Sequence, residues 1–359
     1  MQNNNFRIFV FANLKPSQIN YKIIPLSRSS LVEHVYILRK TPLKLYEDKI
    51  TCLNLPWILR QRPIYWIITA IYGVFLIKKY KTNLILNYNI FPHGFNAYLA
   101  SKITRQQVIF SEINEDTMKY YQQKTSRFLI KNILKNASVI CTPGKYTSSF
   151  WNNQGFDRTT LLHSTIDTKK FKPDITQKKT YDFIYIGEFD DNKRPDLILE
   201  AFYQIHTVIP SSTLCMIGYG KMEKFLKDQI DLLKLGSVVT LLKSNDALTY
   251  LQQSKVLVLA SLSEGLPCVI MEAMACELLV VVPPVGNITD IVKHGVNGFL
   301  HDNSKNGLVK CMFDAIINFE NYNSNRAVAR ETIMNEHSYE VATDKWDHLL
   351  PLMIESGDI

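Results

Sequence analysis

The sequence predicts an α/β protein made of two doubly wound, parallel-sheet domains. Short β-branched apolar runs alternate with helix-like segments along the chain. Its 359 residues are long for one domain and comfortable for two. Charge also changes sign near the middle. Residues 1–173 hold 25 Lys and Arg against 8 Asp and Glu, a balance of +17, and residues 174–359 hold 16 against 25, a balance of −9.

An apolar share of 46% gives ample core. The cysteines at 52, 141, 215, 268, 276 and 311 form no Cys-x-x-Cys pair, which points to reduced thiols in the cytoplasm and away from disulfides or zinc. The first residues lack the basic start and long apolar run of a secretory signal, and 8–12 is expected to be the first strand. The basic first half is expected to meet something anionic: phospholipid headgroups, a diphosphate-linked lipid or nucleic acid. No nucleic-acid signature accompanies the charge, so that partner is set aside. The plain alternative is a soluble basic domain.

In the first half, strands are expected at 7–12, 34–38, 49–53, 83–88, 107–111 and 137–142. The segment 57–81 has an uncharged core, 64–77, of 14 residues, too short for a membrane span. Arg60 and Arg62 flank one end and Lys78, Lys79 and Lys81 the other. That suits either a helix lying in a membrane interface or a buried helix with cationic ends. His93-Gly94 follows the strand at 83–88, so His93 is a candidate catalytic residue by position, and Glu112, Glu115 and Asp116 hold the equivalent place one strand later. A linker is expected near 169–180, dividing a first domain, 1–170, from a second, 171–337. An amphipathic helix over 338–357 is expected to pack back on the first.

The second half restarts with a strand at 181–187 ending in Gly187. Lys193 and Arg194 then precede Pro195, which suits the first turn of a helix. Two cations there suit a diphosphate, unless they are simply solvated beside Asp190 and Asp191. The strand at 213–217 leads to Gly218-Tyr219-Gly220, a weak phosphate-loop signal. The stretch 256–282 reads as strand, loop, helix from about Pro267, then strand. In open parallel sheets such a loop lies at the carboxyl edge, where ligands bind, and the helix start favours phosphate. Glu264 lies in the loop. Glu272 lies in the helix with Cys268, Ala275 and Cys276 on its face, a costly place for a carboxylate without partners. Together they suit the hydroxyls of a sugar or ribose, or else are one solvated acid and one partnered core acid.

The second half resembles family 4 of the retaining glycosyltransferases, of GT-B fold. The resemblance rests on IGEFDDNKRPDLILEAF, MIGYG, SLSEGLPCVIMEAMA and HGVNGFL, and more weakly on KNASVICTPGKYTSSFW and IDTKKFKP. It implies two Rossmann-like domains facing a central cleft, with a UDP- or GDP-linked sugar bound mainly by the second. Glu264 would contact the sugar hydroxyls beside the Gly265–Leu266 backbone, and Glu272 the ribose. Lys193, with Arg194 and the helix end at Pro267, would neutralise the diphosphate, and Gly187, Gly218 and Gly220 would line the donor site. No metal or other cofactor is implied. The sequence departs from the family at Glu188, where arginine is usual, at Cys276-Glu277, which lacks a helix-ending glycine, at Ser164-Thr165 in place of Asn-Gly, and at Ser111, where a histidine is frequent. His93 is the substitute for that histidine.

The implied activity is retaining transfer of a sugar from its nucleotide to a lipid-linked or oligosaccharide acceptor. It would serve bacterial surface polysaccharide synthesis, with the protein cytoplasmic and peripheral on an anionic membrane surface. Two alternatives stand beside it: a catalytically silent GT-B subunit that binds a partner transferase or glycan, and a sugar-nucleotide epimerase.

Overall fold

The computed structural model describes residues 5–43, 47–60, 65–113 and 116–355. The chain forms two compact units, Met1–Thr165 with Tyr339–Ile359, and Ile166–Ser338.

Seven parallel strands form the sheet of the first unit: β1 (Phe6–Phe11), β2 (Val32–Arg39), β3 (Ile50–Asn54), β4 (Leu84–Tyr88), β5 (Val108–Ser111), β6 (Val139–Thr142) and β7 (Thr159–Leu161). Their order is β3-β2-β1-β4-β5-β6-β7. Ile8 on β1 lies opposite both Val35 and Leu84. Helices cover both faces of such a sheet, which is why FRIFVF reads as an almost unbroken apolar run. The helix Tyr339–Glu355 belongs to this unit, and Trp346, Leu350 and Met353 share a core with Ile8, Val10 and Leu86. The Ser29 hydroxyl bonds to Asp347, and the Thr343 hydroxyl donates to the Pro25 carbonyl at 3.0 Å.

The segment 57–81 becomes two helices, Trp57–Arg60 and Tyr65–Lys79; Arg62 lies outside the described residues. The longer helix buries Ala70, Gly73, Leu76 and Ile77, spaced as one helical face. Its other face exposes Ile71 and Phe75. Among the described residues no helix is long and apolar enough to cross a membrane.

Six parallel strands form the sheet of the second unit: β8 (Tyr181–Ile186), β9 (Leu214–Ile217), β10 (Val239–Leu242), β11 (Ser254–Val258), β12 (Leu279–Val282) and β13 (Phe299–Leu300), in the order β10-β9-β8-β11-β12-β13. Every expected strand is present. Three were not expected, β7, β10 and β13, and each lies at a sheet edge with only two to four residues. Edge strands are often very short, and two to four residues leave a faint sequence signal. Phe299–Leu300, expected only as part of a glycine turn, pairs with β12. The helix expected from Pro267 begins one residue later, at Cys268, because Pro267 keeps an extended ψ of 124° and serves as its cap.

Each sheet therefore reverses its winding once, between β1 and β4 and between β8 and β11. Loops leaving neighbouring strands in opposite directions open a crevice there, at the strands' carboxyl ends.

Gly73 fits one such helix to its sheet, since a Cβ there would lie 2.5 Å from the Phe11 ring. Gly73→Val is expected to destabilise the protein by about 1–3 kcal/mol through overpacking. A urea unfolding midpoint equal to that of wild type would contradict this packing.

Candidate active site

The switch point of the second sheet brings together two loops about 70 residues apart. The loop after β8 runs through Gly187 to Arg194, and the loop after β11 through Leu259 to Pro267. Asn192 joins them. Its side-chain amide donates to the Ser263 carbonyl at 3.0 Å and accepts from the Ser263 N–H at 3.1 Å, and its own carbonyl accepts from Leu262 N–H at 2.8 Å. Asp190 shapes the turn by accepting from the Lys193 N–H at 2.9 Å. The result is an ion pair between the Lys193 ammonium and the Glu264 carboxylate. The Glu264 side chain is only 9% exposed and that of Lys193 24%. An isolated carboxylate so enclosed would be costly, and the ammonium offsets part of that cost.

Arg194 goes elsewhere. It sits in the left-handed region, at φ 51°, just before the helix Pro195–Val208. Its guanidinium donates to the Asn303 carbonyl at 3.1 Å and to Asn303 Oδ1 at 3.2 Å. Asn303 in turn donates to the Ser261 carbonyl at 3.1 Å. His301 completes the brace: Nε2 donates to the Leu259 carbonyl at 2.9 Å and Nδ1 accepts from the Asn303 N–H at 3.1 Å. Both contacts together require a neutral ring, and burial pulls the His301 pKa below its usual value.

Glu272 is buried, at 7% exposure, inside the helix Cys268–Ala275, while Leu266 is buried just ahead of it. Burial, and secondly the charge of Glu272, pushes the Cys276 thiol up to about 12, so this cysteine stays a neutral core residue. Glu277, one of the departures from the family pattern, takes the left-handed conformation (φ 58°) that a helix-ending glycine would supply. Arg330 covers the same end by donating to the Ala275 carbonyl.

The glycines have packing reasons. A Cβ at Gly218 would lie 2.0 Å from the Gly187 carbonyl oxygen, one at Gly220 would lie 2.4 Å from that of Phe189, and one at Gly187 would meet the Tyr185 hydroxyl at 2.7 Å. That hydroxyl donates to the Glu188 carbonyl at 2.7 Å, and the Glu188 side chain is exposed. Gly286, at φ 56°, is the tightest: a Cβ there would lie 1.8 Å from the Glu264 carbonyl oxygen, and Asn287 N–H donates to the Gly265 carbonyl at 2.9 Å. The turn 283–287 thus rests on the backbone of the Glu264 loop.

His93 belongs to the first unit, past β4 at that sheet's own switch point. It is half-buried, and Nδ1 is enclosed with no hydrogen-bond partner among the described residues. Burial lowers its pKa to about 4, so the ring is neutral at pH 7. Glu112 is buried in the same unit and accepts from the Trp151 indole at 2.7 Å. Asp116 is exposed at the start of the helix Asp116–Gln122, and Glu115 lies outside the described residues.

The structure thus joins Lys193 to Glu264, places Glu272 on the helix that follows, turns Arg194 toward Asn303, and holds His93 in the other unit. Asn192, His301 and Asn303 escaped the sequence reading. Each is a common polar loop residue, and only Asn192 carried a local cue, its place in the turn that presents Lys193.

Comparison with known proteins bears on the fold and on part of the sequence. Among solved structures, Anabaena HepE in complex with UDP-glucose superposes with a TM-score of 0.81, at 15% identity over 97% of this chain and 100% of that one. Sucrose-phosphate synthase of Thermosynechococcus elongatus superposes with a TM-score of 0.81, at 16% identity over 98% and 100%. The fold is GT-B. Residues 166–330, just under half of the chain, match the family model described as glycosyl transferases group 1. A glycosyltransferase of Methanocaldococcus jannaschii is 24% identical over 273 residues, 74% of this chain and 75% of the relative. The Escherichia coli UDP-Gal:alpha-D-GlcNAc-diphosphoundecaprenol alpha-1,3-galactosyltransferase is 27% identical over 205 residues, and the match spans about half of each chain. Together these similarities support a GT-B glycosyltransferase.

Gly286→Ala is expected to combine left-handed strain with a clash against the Glu264 carbonyl, lowering stability by at least about 1–2 kcal/mol. Thermal unfolding matched to wild type would show that the turn is free to move. For His93 the folded pKa lies below the unfolded one, so the unfolded chain binds more protons between about pH 6.5 and 4. Its contribution is therefore complete above about 6.5 and lost as pH falls toward 4, amounting to at most about 3 kcal/mol. In urea titrations His93→Asn should lose less stability over that range than wild type; parallel losses would contradict the assignment.

Proposed function

We propose that the protein is a retaining, metal-independent glycosyltransferase that moves a sugar from a nucleotide-sugar donor to a lipid-linked or oligosaccharide acceptor. Its place would be the cytoplasmic side of a bacterial membrane, in surface polysaccharide synthesis. The observation that carries the reading is the Lys193–Glu264 pair, set at the second sheet's switch point and followed directly by the helix start at Cys268.

The ammonium of Lys193 has three protons, so it can keep Glu264 while donating to a diphosphate. The positive end of the helix starting at Cys268 favours the same anion. The Glu264 carboxylate retains acceptor capacity for sugar hydroxyls, and Glu272 accepts from the ribose. In the transfer, the bond between the anomeric carbon and the phosphate oxygen breaks and its electron pair leaves with the nucleoside diphosphate. The acceptor oxygen bonds to the same face of the sugar, and its proton passes to the departing phosphate. Lys193 and the helix end stabilise the charge that grows on the leaving group, the kind of fixed field that contributes several kcal/mol. His93, whose ring is neutral, suits a hydrogen bond with a hydroxyl better than contact with an anion.

A second reading, a catalytically silent subunit, is favoured by the exposed Glu188 in place of the family's arginine and by the engagement of Arg194 with Asn303. Calorimetric titration with UDP and GDP separates the two, because a silent subunit of this kind binds neither.

A panel of nucleotide-sugar donors, read by nucleotide release and product mass, tests the proposal directly. Lys193→Ala should lower kcat/KM by about 10²–10³-fold, the size of a lost electrostatic contact to developing charge. Glu272→Gln should lower it by about 10–100-fold with the fold intact. Wild-type turnover in Glu272→Gln would remove that carboxylate from the site.

A further inference from the structure

Beside His93, the first unit holds a cavity of about 390 Å³ lined by Tyr65, Trp66, Phe91, Pro92, Phe95 and Leu129. Its walls are apolar and mostly aromatic, and its size falls in the range of small-molecule sites. Trp66 meets Phe95 edge-on at 5.4 Å, and Phe91 meets Tyr120 edge-on at 5.8 Å, both of the latter pair exposed to solvent. The Lys40 ammonium lies 4.4 Å from the centre of the Tyr65 ring.

The helices that contribute to this cavity are unusual in the same direction. Three helices lie side by side: Tyr65–Lys79, Phe95–Thr104 and Lys124–Asn136. None contains an Asp or Glu. On their outer faces large apolar side chains stand among exposed lysines. Ile71 (64% exposed) and Phe75 (58%) share a face with Lys78 and Lys79, Ile103 (59%) sits beside Lys102, and Phe128 (78%) lies between Lys124 and Lys131. Single exposed apolar residues are ordinary, but several on three adjacent helices that carry lysines and no acid are not. A cationic helix face with exposed aromatic and aliphatic side chains matches a bilayer interface in charge and in chemical character.

We propose that this face docks on an anionic phospholipid bilayer and that the cavity receives a hydrocarbon chain from a lipid in it. Lysines pair with headgroup phosphates, Phe75 and Phe128 enter the interfacial layer, and the aromatic walls of the cavity replace the chain's surroundings in the membrane. The inference rests on the lipid-linked acceptor reading above, which it locates on the first unit.

The test uses the full chain with vesicles of phosphatidylcholine alone or mixed with phosphatidylglycerol that carries a photoreactive diazirine in its acyl chain. Co-sedimentation is expected only with the mixed vesicles and should weaken as salt rises. Crosslinks should fall on peptides containing Tyr65 and Trp66, Phe91 to Phe95, or Leu129. Lys131→Glu with Phe128→Ser, both at exposed positions, should reduce partition by more than about ten-fold, since each cation near such a surface accounts for about five-fold. Equal binding to both vesicle types, unchanged partition of the double variant, or crosslinks confined to the second unit would overturn the proposal. Donor hydrolysis by the same double variant without vesicles reports on the donor reading alone. Loss of partition with hydrolysis retained, and the converse, therefore distinguish the two failures.

Discussion

The second unit is organised around one electrostatic contact, the pairing of Lys193 with Glu264. Enclosed ion pairs seldom add much net stability, because desolvation offsets most of the attraction. Their better-attested effect is to fix geometry, and hydrogen bonds in both loops hold this pair. Asn192 ties the loop of one partner to the loop of the other with three hydrogen bonds, and the Arg194–Asn303–Ser261 chain ties the base of the same loop to the end of β13. These hydrogen bonds fix where both charges stand, the kind of preorganisation that electrostatic stabilisation uses.

Steric requirements in the backbone support the same loop. Gly286 lets the turn after β12 lie directly on the Glu264–Gly265 peptide, and Gly218 lets the ends of β8 and β9 approach closely. At the end of the helix that carries Glu272 a glycine is absent, and Glu277 adopts the left-handed conformation itself while Arg330 donates to the Ala275 carbonyl. The departure in sequence is thereby absorbed in structure, with about 1–2 kcal/mol of conformational cost placed on a non-glycine residue.

The first unit solves a different problem. Its sheet is buried by helices whose inner faces are conventional, yet the outer faces of three of them are apolar and cationic together. The +17 balance of residues 1–173 and the length of the apolar run in 57–81 were visible in sequence. Whether that run was core or surface was not, because a 3.6-residue repeat of mixed apolar residues has no strong face. In the structure it is both: Gly73 and Leu76 turn inward, Ile71 and Phe75 outward.

What the sequence determined by itself was whatever depends on local order: the long apolar strands, the glycine turns, the helix beginning near Pro267, and the identity of Lys193, Glu264 and Glu272 as residues of unusual placement. Periodicity and turn chemistry are short-range, so they survive in a linear reading. The edge strands β7, β10 and β13 were lost because two to four residues carry too little pattern. Only tertiary structure decided that Lys193 pairs with Glu264, that Arg194 turns to Asn303 and that Asn192 and His301 brace the loop. These contacts join residues 42 to 109 positions apart. They exist because the sheet reverses its strand order between β8 and β11, and no local pattern encodes that reversal.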